Sequence, residues 1–321
     1  MKRTERLFGE KMSLFIIGTV VFLSCFFSSC TEEYDLQIEG KQKLIITAEI
    51  TNLEPPYYVQ LKKSMNTFVD YTEYDIHNAY GYETVQDALV IISDENAIVD
   101  TLSLAPDTIT YWSDAYEDSI TYENTYSGKN GYYVTSKITG TPEHTYSLQV
   151  EWNGHTYSAE CKMPKAVAID SIGDFREPTK EDDLTEGGYI PHLWFTDDTT
   201  ADNYYVFCMP MSGGSIWNNT IISDKHIDSD VAGIDVFAGE SAQGYGRGTV
   251  FGTRVSKEWG YDKIIMYSVT KEVYDYYDSA IKQIRYDGGV YTPSPATPPT
   301  NIKGGALGLF NVASADYRYF Y

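Results

Sequence analysis

From residue 43 onward, apolar and polar positions alternate with a period of two, the repeat of a strand that buries one face. The runs KLIITAEI (43–50), YYVQLKK (57–63), DALVIIS (87–93), AIVDTLSL (97–104), GYYVTSKI (131–138), HTYSLQVEW (144–152) and HTYSAECKM (155–163) are rich in Val, Ile, Tyr and Thr. Glu54-Pro55-Pro56, Asp94-Glu95-Asn96 and Asn153-Gly154 separate them with turn formers. Tyr146, Leu148 and Val150 share one face and Ser147 and Gln149 the other; Tyr157, Ala159 and Cys161 repeat the arrangement on the next run. Asn153-Gly154 between these two runs predicts a tight hairpin. Seven short strands in about 120 residues predict an Ig-like β-sandwich over 42–164. The acidic, Tyr-rich stretches 66–84 and 107–130 are expected to be long loops in it.

Met163-Pro164-Lys165 marks the expected boundary to a second β-rich domain over 165–321. HLWFTD (192–197), NYYVFCMPM (203–211), GIDVFA (233–238), GTVFGTRV (248–255) and DKIIMYSV (262–269) predict its strands. Val273, Tyr276, Tyr277, Ala280, Ile281 and Ile284 recur at helical spacing and predict one amphipathic helix near 271–285. Thr270 suits its N-cap, and Glu272 lies in its first turn. YTPSPATPPTN (291–301) is too rich in proline for a helix or a sheet and predicts an extended crossing. GGALGLF (304–310) and YRYFY (317–321) then predict closing strands. Gly304, Gly305 and Gly308 suit a strand approached closely by another backbone, or a bulge. The expected fold is therefore mainly β: an N-terminal Ig-like β-sandwich followed by a second β-rich domain with one amphipathic helix.

The N-terminal end departs from this alternation. Lys2, Arg3, Arg6 and Lys11 outnumber Glu5 and Glu10, and the apolar run Ser13 to Phe27 is broken only by Gly18, Thr19 and Ser24. This is the organisation of a secretory signal peptide, expected over 1–29, with Met12 an alternative start. The run falls short of the roughly 20 apolar residues that a membrane-spanning helix needs. Phe27-Ser28-Ser29-Cys30 resembles a bacterial lipobox, in which cleavage exposes a cysteine that receives acyl chains such as palmitate. Cys25, after Leu23-Ser24, is a rival; Cys30 is favoured because polar sequence begins directly after it. Lipidation is thus expected at Cys30, with 30–41 a lipidated polar tether. Each buried acyl CH₂ contributes about 0.8 kcal/mol to membrane binding, so several chains make a firm anchor. Glu32, Glu33 and Asp35 resemble the acidic export signal beside the lipidated cysteine of surface lipoproteins in Bacteroidetes.

Charge changes the picture by exclusion. The leader carries four basic and two acidic residues away, leaving 20 basic against 44 acidic side chains and taking the net charge from −22 to −24. Such a surface disfavours nucleic acid and anionic lipid heads, which are bound through Lys and Arg. Beyond the anchor only Cys161 and Cys208 remain, and either one disulfide or two buried thiols fits them.

The early LIITAEITN strand, GYYV, YSLQVEWNGHTYSAECKMP, the late helix and PPTNIKGGALGLF (298–310), behind a lipobox, resemble a Bacteroidetes lipoprotein family, domain of unknown function 4249. The resemblance runs from about residue 30 to the end and rests on the order and spacing of these motifs. It implies an outer-membrane lipoprotein, often encoded beside TonB-dependent receptors. It supplies no ligand and no catalytic residue.

No constellation in the sequence calls for a cofactor. His77, His144, His155, His192 and His226 form no HExxH and no Cys/His set at zinc spacing, although His144 and His155 each open a strand of one hairpin and are placed to face one another. GESAQG (239–244) lacks the glycine spacing of a nucleophile elbow, and the glycines of 304–308 lack the GxxxxGK[ST] phosphate loop. DKHIDSD (224–230) and DDTTAD (197–202) offer hard oxygen ligands for calcium but match no EF-hand loop, and Asp-rich turns also arise from local backbone bonding. The 29 tyrosines suggest a binding face, since Tyr joins flat apolar area to a hydroxyl. YTEYDIHNAYGYE (71–83) and YWSDAYEDSITYENTY (111–126) interleave aromatic and polar residues, which makes Tyr80, Tyr82, Tyr111, Trp112 and Tyr116 the candidate ligand contacts. Tyrosines packed at sandwich edges are the competing reading.

The expected function is that of a non-enzymatic, surface-facing, lipid-anchored outer-membrane protein that assists a TonB-dependent receptor in nutrient capture. A structural or adhesive envelope protein is the alternative, and a hydrolase the third class.

Overall fold

The computed structural model describes residues 41–64, 83–113, 118–173, 192–198, 200–208, 219–226, 230–235, 263–285 and 297–319. The signal peptide, Cys30, most of the tether and the strand expected at 248–255 lie outside the described residues. In chain order the strands begin with β1 (Leu44–Thr51), β2 (Tyr58–Lys63), β3 (Leu89–Asp94), β4 (Val99–Thr101), β5 (Ser103–Leu104), β6 (Thr108–Ser113), β7 (Asp118–Glu123), β8 (Tyr132–Val134), β9 (Thr145–Trp152) and β10 (His155–Lys162). They continue with β11 (Ile169–Ile172), β12 (His192–Thr196), β13 (Tyr204–Cys208), β14 (Asn219–Ser223), β15 (Asp230–Asp235) and β16 (Lys263–Val269); helix α1 (Lys271–Arg285) and β17 (Leu307–Tyr319) complete the order.

The chain is mainly β, as the alternation predicts. Its largest sheet has eight strands in the order β14-β13-β16-β17-β1-β2-β8-β5. A four-stranded sheet, β10-β9-β3-β4, lies against one half of it. The inward residues of both sheets form one core: Ile46 and Leu61 from the large sheet meet Ile92, Tyr146 and Leu148 from the small one. Full burial of each such side chain contributes about 1.5–3 kcal/mol. Asn153 and Gly154, both at positive φ, turn β9 into β10 as expected.

On the other half of the large sheet, β13 and β16 are buried on both faces. Tyr205, Phe207, Ile264 and Met266 pack on Ile169, Leu193 and Phe195 of the three-stranded sheet β11-β12-β15. Tyr204, Val206, Ile265 and Val269 point the other way, onto Val273 and the flanking tyrosines of α1. The helix forms where the spacing predicts it. Tyr274 donates its amide to Thr270 O at 3.0 Å, and Lys271–Asp275 and Lys282–Asp278 pair one turn apart at 2.5 Å.

Between these halves runs β17. It pairs in parallel with β1 from Ile45↔Leu307 to Thr51↔Ala313 and antiparallel with β16 from Lys263↔Tyr319 to Ser268↔Ser314. Phe310 and Val312 enter the first core, while Leu309, Ala313 and Ala315 enter the core under α1. Two side-chain amides hold its backbone. Asn301 donates to Phe310 O (2.8 Å) and accepts from Phe310 N (3.0 Å). Asn52 makes the equivalent pair with Ala315. The boundary expected at Met163-Pro164-Lys165 therefore runs through a shared sheet: β1, β2, β5 and β8 precede it, and β13, β14, β16 and β17 follow.

Three expectations differ locally. Leu307–Phe310 of the first expected strand and Tyr317–Tyr319 of the second belong to one continuous strand, because the intervening Ala313, Ser314 and Ala315 are small residues that fit where both faces are covered. AIVDTLSL is two strands in different sheets; the chain crosses at buried Leu102. Buried Asp100 holds that crossing by accepting from the amides of Ser136 (2.7 Å), Lys137 (2.7 Å) and Ile138 (3.2 Å). The third difference concerns 107–130, where β6 and β7 replace the expected loop.

Gly308 (φ +100°) leaves no room for a side chain: a Cβ there would lie 2.0 Å from Ile46 O on β1. Gly305 (φ +89°) has nothing within 4 Å of its Cβ position. Gly305→Ala should therefore cost only backbone strain, about 1–2 kcal/mol. Gly308→Ala should cost more, about 3 kcal/mol or above, because the β1–β17 backbones must part. Thermal unfolding of the two variants side by side checks this, and equal midpoints would contradict the close approach.

Candidate functional site

The sequence TITYWS followed by DSITYE folds as a two-stranded ribbon, with six pairs from Thr108↔Glu123 to Ser113↔Asp118. Residues 114–117 connect the strands, and the Thr110 and Thr121 hydroxyls meet at 2.8 Å across them. Thr108, Ile109, Thr110, Thr121, Tyr122 and Glu123 are all exposed. The alternation of other strands is present here, with Ile109, Tyr111, Ile120 and Tyr122 on one face and Thr108, Thr110, Ser119, Thr121 and Glu123 on the other, but it is embedded in acidic, Tyr-rich sequence whose composition reads as loop. Ile109 and Tyr122 stand opposite each other at 46% and 49% exposure, large for apolar side chains in a paired register.

The ribbon's base is fixed. Buried Asn124 donates its amide to Asp107 O and its side chain to Pro106 O, both at 2.8 Å, and accepts from Tyr126 N at 3.0 Å. Lys129 pairs with Asp107 at 2.8 Å. Tyr126 then stacks on Tyr58 (4.8 Å between ring centres, 20° between planes) and meets Tyr132 edge-on (5.2 Å, 85°). Tyr58 and Tyr132 are diagonal neighbours across β2 and β8, themselves edge-on at 6.2 Å. Burial raises the Tyr58 and Tyr132 hydroxyls above the usual phenol range, and the neighbouring Tyr126 adds to it.

Of the candidate contacts, Tyr111 and Trp112 lie on β6, opposite Ile120 and Ser119. They are strand residues, which corrects their assignment to a loop. Tyr80, Tyr82 and Tyr116 lie outside the described residues. Tyr126, at the end of the same stretch, is brought onto Tyr58 and Tyr132, which the sequence reading leaves as ordinary strand residues. The period of two carries a signal for them: Tyr58 is out of phase with core residues Val59 and Leu61, and Tyr132 with Tyr133. Finding the cluster also requires the β2–β8 register, which no local pattern supplies.

Other chemistry-bearing groups are occupied differently from expectation. His155 pairs with Trp152 at the turn of the β9–β10 hairpin, whereas Thr145, beside His144, pairs with Lys162 at its open end, so the two histidines do not face one another. Cys161 and Cys208 are separate buried thiols in different cores, with burial pushing them up to about 11 and about 12. Asp197 accepts from the Tyr205 hydroxyl, Asp198 from Thr200, and Asp224 from the Asn203 amide. These carboxylates therefore serve turns and strand ends. Under α1, the Glu49 carboxyl sits among Tyr267, Tyr277 and Cys208. Burial raises it above the usual carboxyl range, offset in part by the Asn311 side-chain amide at 3.0 Å. The same amide has a buried Oδ1 with no partner, an acceptor that a protonated Glu49 is suited to satisfy.

A family model described as Domain of unknown function (DUF4249) matches residues 31–318. No curated protein and no solved structure matches the chain.

Two measurements test this electrostatic reading. With a raised folded value, Glu49 contributes stability fully below the ordinary carboxyl range, and the contribution fades as pH rises through the folded value. Glu49→Gln, permanently neutral and still able to pair with the Asn311 amide, should melt at or above the parent at pH 8, with the difference closing towards pH 4. A variant that grows less stable than the parent as pH rises would refute it. For Tyr58 and Tyr132, absorbance titration at 295 nm should show phenols ionising above the usual pH 10, and Tyr126→Ala should lower that late fraction. An unchanged titration curve in the variant would remove Tyr126 as a cause.

Proposed function

The chain belongs to the DUF4249 family, and from that premise we propose that it is a surface-facing outer-membrane lipoprotein, a non-enzymatic partner of a TonB-dependent receptor in nutrient capture. The observation that carries the reading is the β6–β7 ribbon: exposed Ile109 and Tyr122, with Tyr111 and Trp112 on the strand between, above a fixed base of stacked tyrosines. A paired ribbon loses less conformational freedom on binding than a free loop, and aromatic side chains bring large contact area. In this reading, acyl chains on Cys30 tether the protein to the outer membrane, and the acids at 32, 33 and 35 direct it to the surface. Tethering beside the receptor raises the local concentration of anything the ribbon holds, without requiring tight binding.

The test is a mild-detergent pull-down from native membranes through a C-terminal tag, with Cys30→Ala as control. A TonB-dependent receptor recovered in near-equal amount with the parent and lost with the control is the expected result. The parent recovered alone, still lipidated and surface-exposed, would overturn the receptor role and favour a structural or adhesive one. Tyr111→Ala/Trp112→Ala should weaken capture by about 2 kcal/mol or more if the ribbon supplies the anchor residues. Full capture by that variant, with an unchanged melt, would place the contact elsewhere.

A further inference from the structure

The β6–β7 ribbon carries an apolar face on an acidic arm. Its register sets Ile109, Tyr111, Ile120 and Tyr122 on one face and Thr108, Thr110, Thr121 and Glu123 on the other. Ile109 and Tyr122 stand directly opposite one another, and both are exposed. Among the described residues β6 and β7 pair only with each other, so both edges of the ribbon are open. Each strand has six residues, an ordinary length for pairing. A two-stranded pair with no core behind it is marginally stable in water, and a third strand strengthens it.

Charge narrows the choice of occupant. Residues 107–126 hold five acids, Asp107, Asp114, Glu117, Asp118 and Glu123, and no base. At the foot of the ribbon, Lys129 pairs with Asp107 at 2.8 Å and also feels Glu123, so one base serves two acids. A second copy of the ribbon would set like charges against each other, which disfavours pairing. A basic segment does the reverse, because complementary charge speeds encounter and fixes register. An extended segment can also use an open edge, where the period of two sorts its side chains by face.

We propose that the ribbon docks an extended, basic segment of a partner protein in which apolar residues alternate with Lys or Arg. Its apolar residues lie beside Ile109 and Tyr122 and shield them from water, while its cations reach the acids of the ribbon. This contact rests on the receptor reading only for the source of the segment; its chemistry comes from the ribbon.

The probe is a capped, fluorophore-labelled peptide of about eight residues that alternates lysine and valine. Its anisotropy is titrated with the full chain in detergent, beside lysine–serine and glutamate–valine peptides of equal length. The lysine–valine peptide should bind saturably at one per chain, at least about tenfold tighter than either control. Raising the salt from about 50 mM to about 300 mM should weaken it several-fold. Ile109→Ser/Tyr122→Ser, two exposed changes outside the cores, should weaken it about tenfold. Asp118→Asn/Glu123→Gln should weaken it several-fold and flatten its salt dependence. If the lysine–serine peptide binds as well, the attraction is the general field of an acidic chain and the proposal is refuted. Both variants binding like the parent would refute it too. A parent that sediments as a dimer, with Ile109→Ser/Tyr122→Ser a monomer, would assign the face to a second copy and overturn it. Should the first variant fail to fold, the charge variant decides alone. Peptide binding with no receptor in the pull-down would leave this contact standing and remove the receptor; a recovered receptor with no peptide binding would do the opposite.

Discussion

The structure depends on the parallel pairing of its last strand with its first. β17 is inserted between β1 and β16, and without it the large sheet would fall into two unconnected pieces. Parallel strands are stable chiefly when both faces are covered, and β17 meets that condition by giving alternate residues to different cores. Its backbone tolerates no neighbour other than the one it has. Gly308 admits Ile46 O where a Cβ would stand, and Asn301 and Asn52 each bond both the N–H and the C=O of one β17 residue. Because β1 pairs with a strand some 260 residues later, its edge stays open until most of the chain has been made. Such non-local pairing carries a large loop-closure cost and slow folding.

That shared sheet also orders everything around it. Ile169 donates its amide to Asp316 and accepts from Arg318, so the three-stranded sheet is tied to β17 rather than merely packed nearby. Before entering the large sheet, the chain pairs Lys303 with Ser158 on β10, which joins the two sheets of the sandwich by main-chain bonds at 2.7 and 3.2 Å. At the far edge stands β5, only two residues long, a length that offers little to a pairing partner. Apart from Asp316 and Arg318 on Ile169, these junctions are held by glycines, amides and apolar contacts, while the acidic surface adds solubility and repulsion.

Much of this was legible in the residues, and the gaps have physical causes. The strands of the first core alternate cleanly because one face meets a core and the other meets water, and α1 stands out because its apolar residues recur every three to four positions. β17 reads as two fragments because double-sided burial near α1 demands Ala313, Ser314 and Ala315, residues with little strand character of their own. The ribbon fails to register for another reason: its alternating residues, Ile109 and Tyr111 on one strand and Ile120 and Tyr122 on the other, sit in acidic, Tyr-rich sequence whose composition reads as loop. Tyr111 and Trp112 are visible as unusual residues, but the Tyr58–Tyr126–Tyr132 cluster depends on a strand register set by the whole sheet.

A segment that pairs without entering a core is where this fold has side chains to spare. A core strand pairs its backbone groups in the ladder and commits its inward side chains to packing. The ribbon, exempt from a core, can expose Ile109 and Tyr122 without losing its pairing.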